Sequence, residues 1–185
     1  MFKHVAGAIV AATLAMPAFA ADLGGQIVNI GSDTTYPPHE FIEDGVVKGF
    51  DVDVVAAICE RINCQPNWIT TAWDGIFGAL ADGQFDMVVS GVTITEERDK
   101  IVDFSDPYII VQQGVLMRVE DAGKTIDDFK SGAMRLASQN GTTNAALGEE
   151  LVGRDNLALF DAFNNAVVAL QNGDVDGVII DSTSA

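Results

Sequence analysis

One pattern occurs twice in this chain. Ala79-Leu80-x-x-Gly83-x-x-Asp86-x-Val88-Val89 returns ninety positions later as Ala169-Leu170-x-x-Gly173-x-x-Asp176-x-Val178-Ile179, and in the same register Trp73 falls on Phe163. Each copy reads as the end of a helix, a glycine that stops it, and a short apolar strand. A unit repeated at so long an interval is no rung of a short-period solenoid, and it predicts two similar lobes. Gly91 maps onto Asp181, so each lobe carries binding-type residues just beyond the equivalent strand.

The rest of the chain alternates in the same way. Strands are predicted over 26–30, 66–70, 87–89, 134–137, 157–160 and 175–180. Helices are predicted over 52–62, 74–81, 126–130, 144–152 and 162–171. Asp44-Gly45 between Phe41-Ile42 and Val46-Val47 signals a hairpin. Residues 109–117 are nearly continuous apolar and β-branched, which predicts an extended crossing between the lobes. The class is α/β with mainly parallel sheets.

Asp86 to Arg98, DMVVSGVTITEER, carries the most chemistry. A buried strand ends in Ser90, Gly91 and Thr93, and Thr95 is placed to cap a following helix. Ligands of open α/β sheets bind beyond the carboxyl ends of strands. An arginine within one turn of such a hydroxyl-rich loop fits a carboxylate receptor, with the Arg98 fork on both oxygens. A capped helix with a surface arginine fits the same residues.

Charge narrows the partners. With 27 acidic against 10 basic residues and a net charge of −17, nucleic acid and anionic membrane are poor partners. Lys3 and His4 precede an apolar run that ends in Ala18-Phe19-Ala20, the pattern of a signal peptide cleaved after Ala20. No other segment reads as a membrane span, so export without membrane insertion is expected. Cys59 and Cys64 are close enough to close a small loop in an oxidising compartment, and close enough for the Cα separation to forbid it. Beyond residue 20 the chain has one histidine and no second cysteine pair, so neither a metal site nor a cofactor is expected.

GSDTTYPP (31–38), GFDVDV (49–54), WDG (73–75), SGVTITEER (90–98), DFSDPY (103–108), NGTT (140–143) and VDGVIID (175–181) together resemble solute-binding protein family 3, the periplasmic receptors of polar amino-acid ABC transporters. The resemblance implies a two-lobed periplasmic-binding-protein-like fold (type II) that closes on an amino acid by hinge motion. It divides the chain into a signal peptide (1–20), a first lobe (21–109), a hinge crossing (110–113) and a second lobe (114–185). Family members run on to recross the hinge, so this chain is expected to be truncated within the second lobe.

Carried onto this sequence, the resemblance gives Arg98 the ligand's α-carboxylate, with Thr93 and Thr143. Asp181 takes the α-ammonium, and Ser90 and Gly91 add a carbonyl and an N–H. Trp73 and Tyr36 sandwich the side chain, with cation–π benefit if it is cationic, and Asp33 meets a distal polar or positive group. Each residue has a plainer reading: core for Trp73, turns for Tyr36 and Asp33, a helix cap for Asp181. Asp51 and Asp53 read as N-cap and first-turn charges, and His39 as a surface residue or a pH-sensitive one at the cleft mouth.

The implied function is a non-enzymatic, monomeric receptor that hands a basic or amide amino acid to an inner-membrane permease. A cyclohexadienyl dehydratase-like enzyme on the same fold would need an acid/base group, for which His39 and Glu40 are the candidates. A ligand-sensing ectodomain would need a membrane helix downstream.

Overall fold

A computed structural model describes residues 21–185; the predicted signal peptide lies outside the described residues. The first lobe is built on β1 (Gln26–Ser32), which pairs in parallel with β5 (Cys64–Thr70) on one side and β6 (Met87–Val88) on the other. A meander of β2 (Thr35–Tyr36), β3 (Glu40–Glu43) and β4 (Val46–Lys48) is inserted after β1. Its tight turn holds Asp44 and Gly45 at φ 53° and 77°, the paired left-handed geometry that joins twisted strands in register.

Helix α1 (Phe50–Ile62) covers one face of this sheet, where Val55 and Cys59 pack with Ile30 and Val89. Helix α2 (Ile76–Ala81) covers the other, with Trp73, Ile76 and Phe85. Gly31 of β1 lies under the Phe85 ring, which a Cβ would meet at 2.6 Å. Asn63 ends α1 in the left-handed conformation at φ 55°, and Cys59 and Cys64 are disulfide-bonded around that turn with Cα atoms 4.5 Å apart. That separation lies at the short end of what a disulfide spans.

The second lobe repeats the plan. Its sheet runs β7 (Gln113–Met117), β10 (Gly177–Asp181), β8 (Leu136–Gln139), β9 (Leu157–Phe160), with β7 antiparallel and the others parallel. Helices α3 (Ile126–Lys130) and α4 (Thr143–Val152) lie on one face and α5 (Phe163–Asn172) on the other. Val178 and Ile180 pack toward α5 while Ile179 packs toward α3 and α4, so β10 is buried on both faces. A strand covered on both faces has to be apolar throughout, which explains its unbroken Val-Ile-Ile run.

The repeat extends to single hydrogen bonds. Gly83 and Gly173 each donate to the leucine carbonyl three residues back, at 2.9 and 3.2 Å. The next residue in each copy donates to the carbonyl of Ala79 or Ala169, which stops the helix in the same geometry. Asp86 and Asp176 then accept the backbone N–H of Asn29 and Arg135, at 2.7 and 2.8 Å, pinning β6 to β1 and the start of β10 to the start of β8.

Two expectations are corrected. No α-helix opens at Thr95: its hydroxyl accepts the Arg98 N–H at 3.2 Å, but only a single 3-10 turn follows, over Arg98–Lys100. Asp51 lies inside α1, whose N-cap is Gly49. The run expected to cross between the lobes pairs as a strand from Gln113. Among the described residues no helix is long and apolar enough to cross a membrane.

Candidate functional site

In both lobes the central strand is followed first by a strand on one side and then by one on the other. The crevice at that reversal, beyond the strand carboxyl ends, is where open α/β sheets place ligands. In the first lobe it lies between β1 and β6 and receives Asp33, Ser90 and Gly91. In the second it lies between β8 and β10 and receives Gln139 and Asp181. The two crevices face each other around a cavity of about 30 Å³. All nine residues singled out in the sequence line it: Asp33, Tyr36, Trp73, Ser90, Gly91, Thr93, Arg98, Thr143 and Asp181.

Arg98 enters from the first lobe. One guanidinium nitrogen donates to the Thr93 carbonyl at 2.8 Å and the other reaches Gly141 O of the second lobe at 3.4 Å. The guanidinium carbon stands 5.1 Å from the ring centres of both Trp73 and Phe77, so two aromatic faces hold it. Burial lowers its pKa from the ordinary arginine value.

Asp181 closes β10 from the second lobe and lines the cavity. Its carboxylate accepts Tyr36 O–H at 2.8 Å and Asn144 Nδ2–H at 3.2 Å. Burial, and then the Asp181 charge, push the Tyr36 phenol up. Trp73 and Tyr36 do not form one sandwich around open space: Tyr36 packs on Phe163 at 4.9 Å and Trp73 on Phe77 at 5.6 Å. Trp73 is both core and wall, and its Nε1–H donates across the cleft to Gly141 O at 3.0 Å.

The remaining expected residues complete the floor and rim. Ser90 Oγ accepts the Asp33 N–H at 2.9 Å and donates to Glu40 Oε1 at 2.8 Å. Gly91 stands at φ +53°, a left-handed conformation that calls for glycine, while a Cβ there would meet the Tyr36 ring only at 3.4 Å, an ordinary contact. Its N–H, expected to meet the ligand, is donated to Asp51 Oδ2 at 2.9 Å. Thr93 and Thr143 hydroxyls approach to 3.5 Å from opposite lobes, Thr143 beginning α4 just after the Thr142 N-cap. Asp33 accepts Thr35 O–H at 2.8 Å and Gln139 Nε2–H at 2.6 Å.

The model for bacterial extracellular solute-binding proteins, family 3, matches residues 28–179. The chain belongs to that family. It is 33% identical over 94% of its length, and 70% of the relative's, to ABC transporter arginine-binding protein 1 of Escherichia coli K12. The fold superposes at a TM-score of 0.80 on the arginine-, lysine-, histidine-binding protein ArtJ from Geobacillus stearothermophilus, 33% identical, covering 86% of this chain and 68% of that one. A second structure is the ancestral amino acid-binding protein AncCDT-1, a precursor of cyclohexadienyl dehydratase. It matches at a TM-score of 0.79 and 34% identity, over 84% and 71% of the two chains. The family 3 relatives are periplasmic amino-acid-binding proteins of two-lobed, type II architecture.

This family 3 member also lines its cavity with residues outside those nine: Glu40, offered by the sequence only as an acid/base candidate, and Gln139, Thr142, Asn144 and Phe163. Phe163 was legible as the repeat partner of Trp73; it opens α5, Trp73 lies three residues before α2, and both line the cavity. Gln139 was legible once strand register is known, because Met87 and Gly177, equivalent in the repeat, pair with Ile30 and Leu136. Three residues further on, Asp33 and Gln139 are therefore equivalent. Glu40 was legible only as an acid/base candidate for the enzyme alternative, not as part of the wall. His39, expected at the surface, is 2% exposed, stacked on Tyr36 at 5.5 Å and bonded through Nε2 to Thr183 Oγ1 at 2.7 Å.

Proposed function

We propose that this chain is the periplasmic substrate-binding component of an ABC importer for amino acids, with a preference for cationic side chains. One observation carries the reading: Arg98 and Asp181 reach one cavity from opposite lobes. A zwitterion removed from water needs both ends neutralised, since an unpaired buried charge costs several kcal/mol. In this reading Arg98, with Thr93 and Thr143, takes the carboxylate, and Asp181 takes the ammonium. Both partners are within reach only when the lobes meet, so the ligand favours closure by its differential affinity. The closed form is what the inner-membrane permease reads.

The side-chain preference follows from the wall. Arg98 is the one basic residue on it, against Asp33 and Asp181. A ligand with two positive groups and one negative complements that set better than a neutral or acidic amino acid. The chain is exported as a monomer, with cleavage after Ala20, and its lobes span 21–109 and 114–185 about a crossing at 110–113.

A thermal-shift series on the full chain tests this, because a ligand that binds only the folded state raises the midpoint. L-arginine and L-lysine should raise it, L-citrulline, the neutral isostere, should do so only at roughly tenfold higher concentration, and L-glutamate not at all. Preference for citrulline or glutamate, or no response to any, would overturn the assignment. The likeness to AncCDT-1 and the Glu40 acid on the wall favour one second reading, a dehydratase. Turnover of prephenate or arogenate would establish it, and none is expected.

A further inference from the structure

Glu40 is a glutamate with no accessible surface, set in the wall of the cavity. Its hydrogen bonds can be counted atom by atom. Ser90 accepts the Asp33 N–H, so its own single proton goes to Glu40 Oε1. Asp51, also fully buried, uses Oδ2 to accept the Gly91 N–H. Glu40 Oε2 and Asp51 Oδ1 are left, two buried acceptors with no hydrogen-bond donor among the described residues. The nearest basic group, His39 Nδ1, is 3.7 Å from Asp51 Oδ1, and Arg98 is engaged by carbonyls.

The groups that act on this pair come from every neighbouring element. Asp51 belongs to α1, Asp33 to the turn after β1, Tyr108 to the first-lobe segment just before the crossing, and His39 precedes Glu40 itself. Two carboxylates buried side by side in such company cannot both ionise. We propose that Glu40 is a neutral acid in the folded protein, that its proton is directed at Asp51, and that this shared proton positions Ser90 and Gly91 at the cavity floor.

The division between the two carboxyls follows from their partners. Burial, and then the Asp51 charge, push the Glu40 carboxyl up to about 10. Asp51 is pushed up by burial too, but the His39 ring near its Oδ1, the Gly91 N–H, the Glu40 acid and the Tyr108 hydroxyl together more than offset it and hold Asp51 below the usual carboxylate range. Asp51 keeps the charge and Glu40 keeps the proton. Glu40 is thus a positioning residue: it fixes Ser90 directly, and it fixes Gly91 through Asp51. The effect on ligand binding rests on the amino-acid reading above, whereas the proton does not.

The experiment joins infrared spectroscopy of the ligand-free protein with L-arginine titration of the wild type, Glu40→Gln and Glu40→Ala. At neutral pH the wild type should show the carbonyl stretch of a protonated carboxylic acid, and Glu40→Gln should lack it. Glutamine keeps an acceptor for Ser90 and a donor for Asp51, so Glu40→Gln should bind arginine within about threefold of wild type, and Glu40→Ala at least about tenfold more weakly. The proposal is overturned if the two infrared spectra match, or if glutamine is as damaging as alanine. If the acid band is present and arginine fails to bind wild type, the proton stands and the ligand assignment falls.

Discussion

Asp33 and Gln139 occupy equivalent places in the two lobes and meet across the cleft, Gln139 Nε2–H donating to Asp33 Oδ2 at 2.6 Å. Tyr36 with Asp181, Trp73 with Gly141 and His39 with Thr183 cross the same gap. The lobes are closed, and the groups proposed to receive the ligand are satisfied by partners from the protein itself. A cationic ligand end would have to compete with Gln139 for Asp33.

Gln139→Ala should therefore loosen the ligand-free closed form. A hydrogen bond to a charged group contributes about 1.5–3 kcal/mol, enough to move the closed-to-open ratio by one or two powers of ten. Small-angle X-ray scattering should show a larger radius of gyration for the ligand-free variant, with arginine restoring the wild-type value. An unchanged radius would mean that the bond does not hold the lobes together.

Arg98→Ala should abolish the melting shift given by arginine while leaving a folded protein. Its polar contacts are carbonyls and aromatic faces, with no buried acid left unpaired by its removal. Arg98→Lys keeps the charge but loses the planar fork, and should weaken binding about tenfold or more. Circular dichroism alongside the melting curves separates lost binding from lost fold.

Glu40 gives the folded state a distinct pH response. The unfolded chain releases this proton at the ordinary value of 4.5, the folded chain at about 10. Between those values the folded state holds the extra proton, so the contribution of this group is full below 4.5 and is lost as pH rises toward 10. The slope is at most about 1.4 kcal/mol per pH unit. Melting temperatures at pH 5, 7 and 9 should show Glu40→Gln gaining on wild type at each step, and a constant difference would contradict the shift.

The Cys59–Cys64 bridge closes a short loop, for which chain entropy predicts a modest effect of about 2 kcal/mol. The double serine variant should melt roughly 4–8 °C lower in a chain of this size. Arginine binding should survive, because the bridge lies at the far end of α1 from the cleft. Loss of binding in a folded variant would show that α1 transmits to the site.

What could be read without coordinates was whatever has a local cause. Glycine stops at Gly83 and Gly173, the Asp44-Gly45 turn and the apolar strand of residues 175–180 follow from backbone freedom and burial, which a short window of residues reports. The repeat added the two-lobe plan, and the family resemblance picked out nine residues that the fold brings to one cavity. Tertiary structure alone decided how those residues are satisfied: that Gly91 spends its N–H on Asp51, that Tyr36 faces Phe163 and Asp181, and that His39 is buried. It also decided that Glu40 lies on the wall. Such facts depend on which strand ends are brought opposite one another, a long-range register that no stretch of sequence encodes by itself. Hydrogen-bond accounting and the sharing of a buried proton exist only after that register is set.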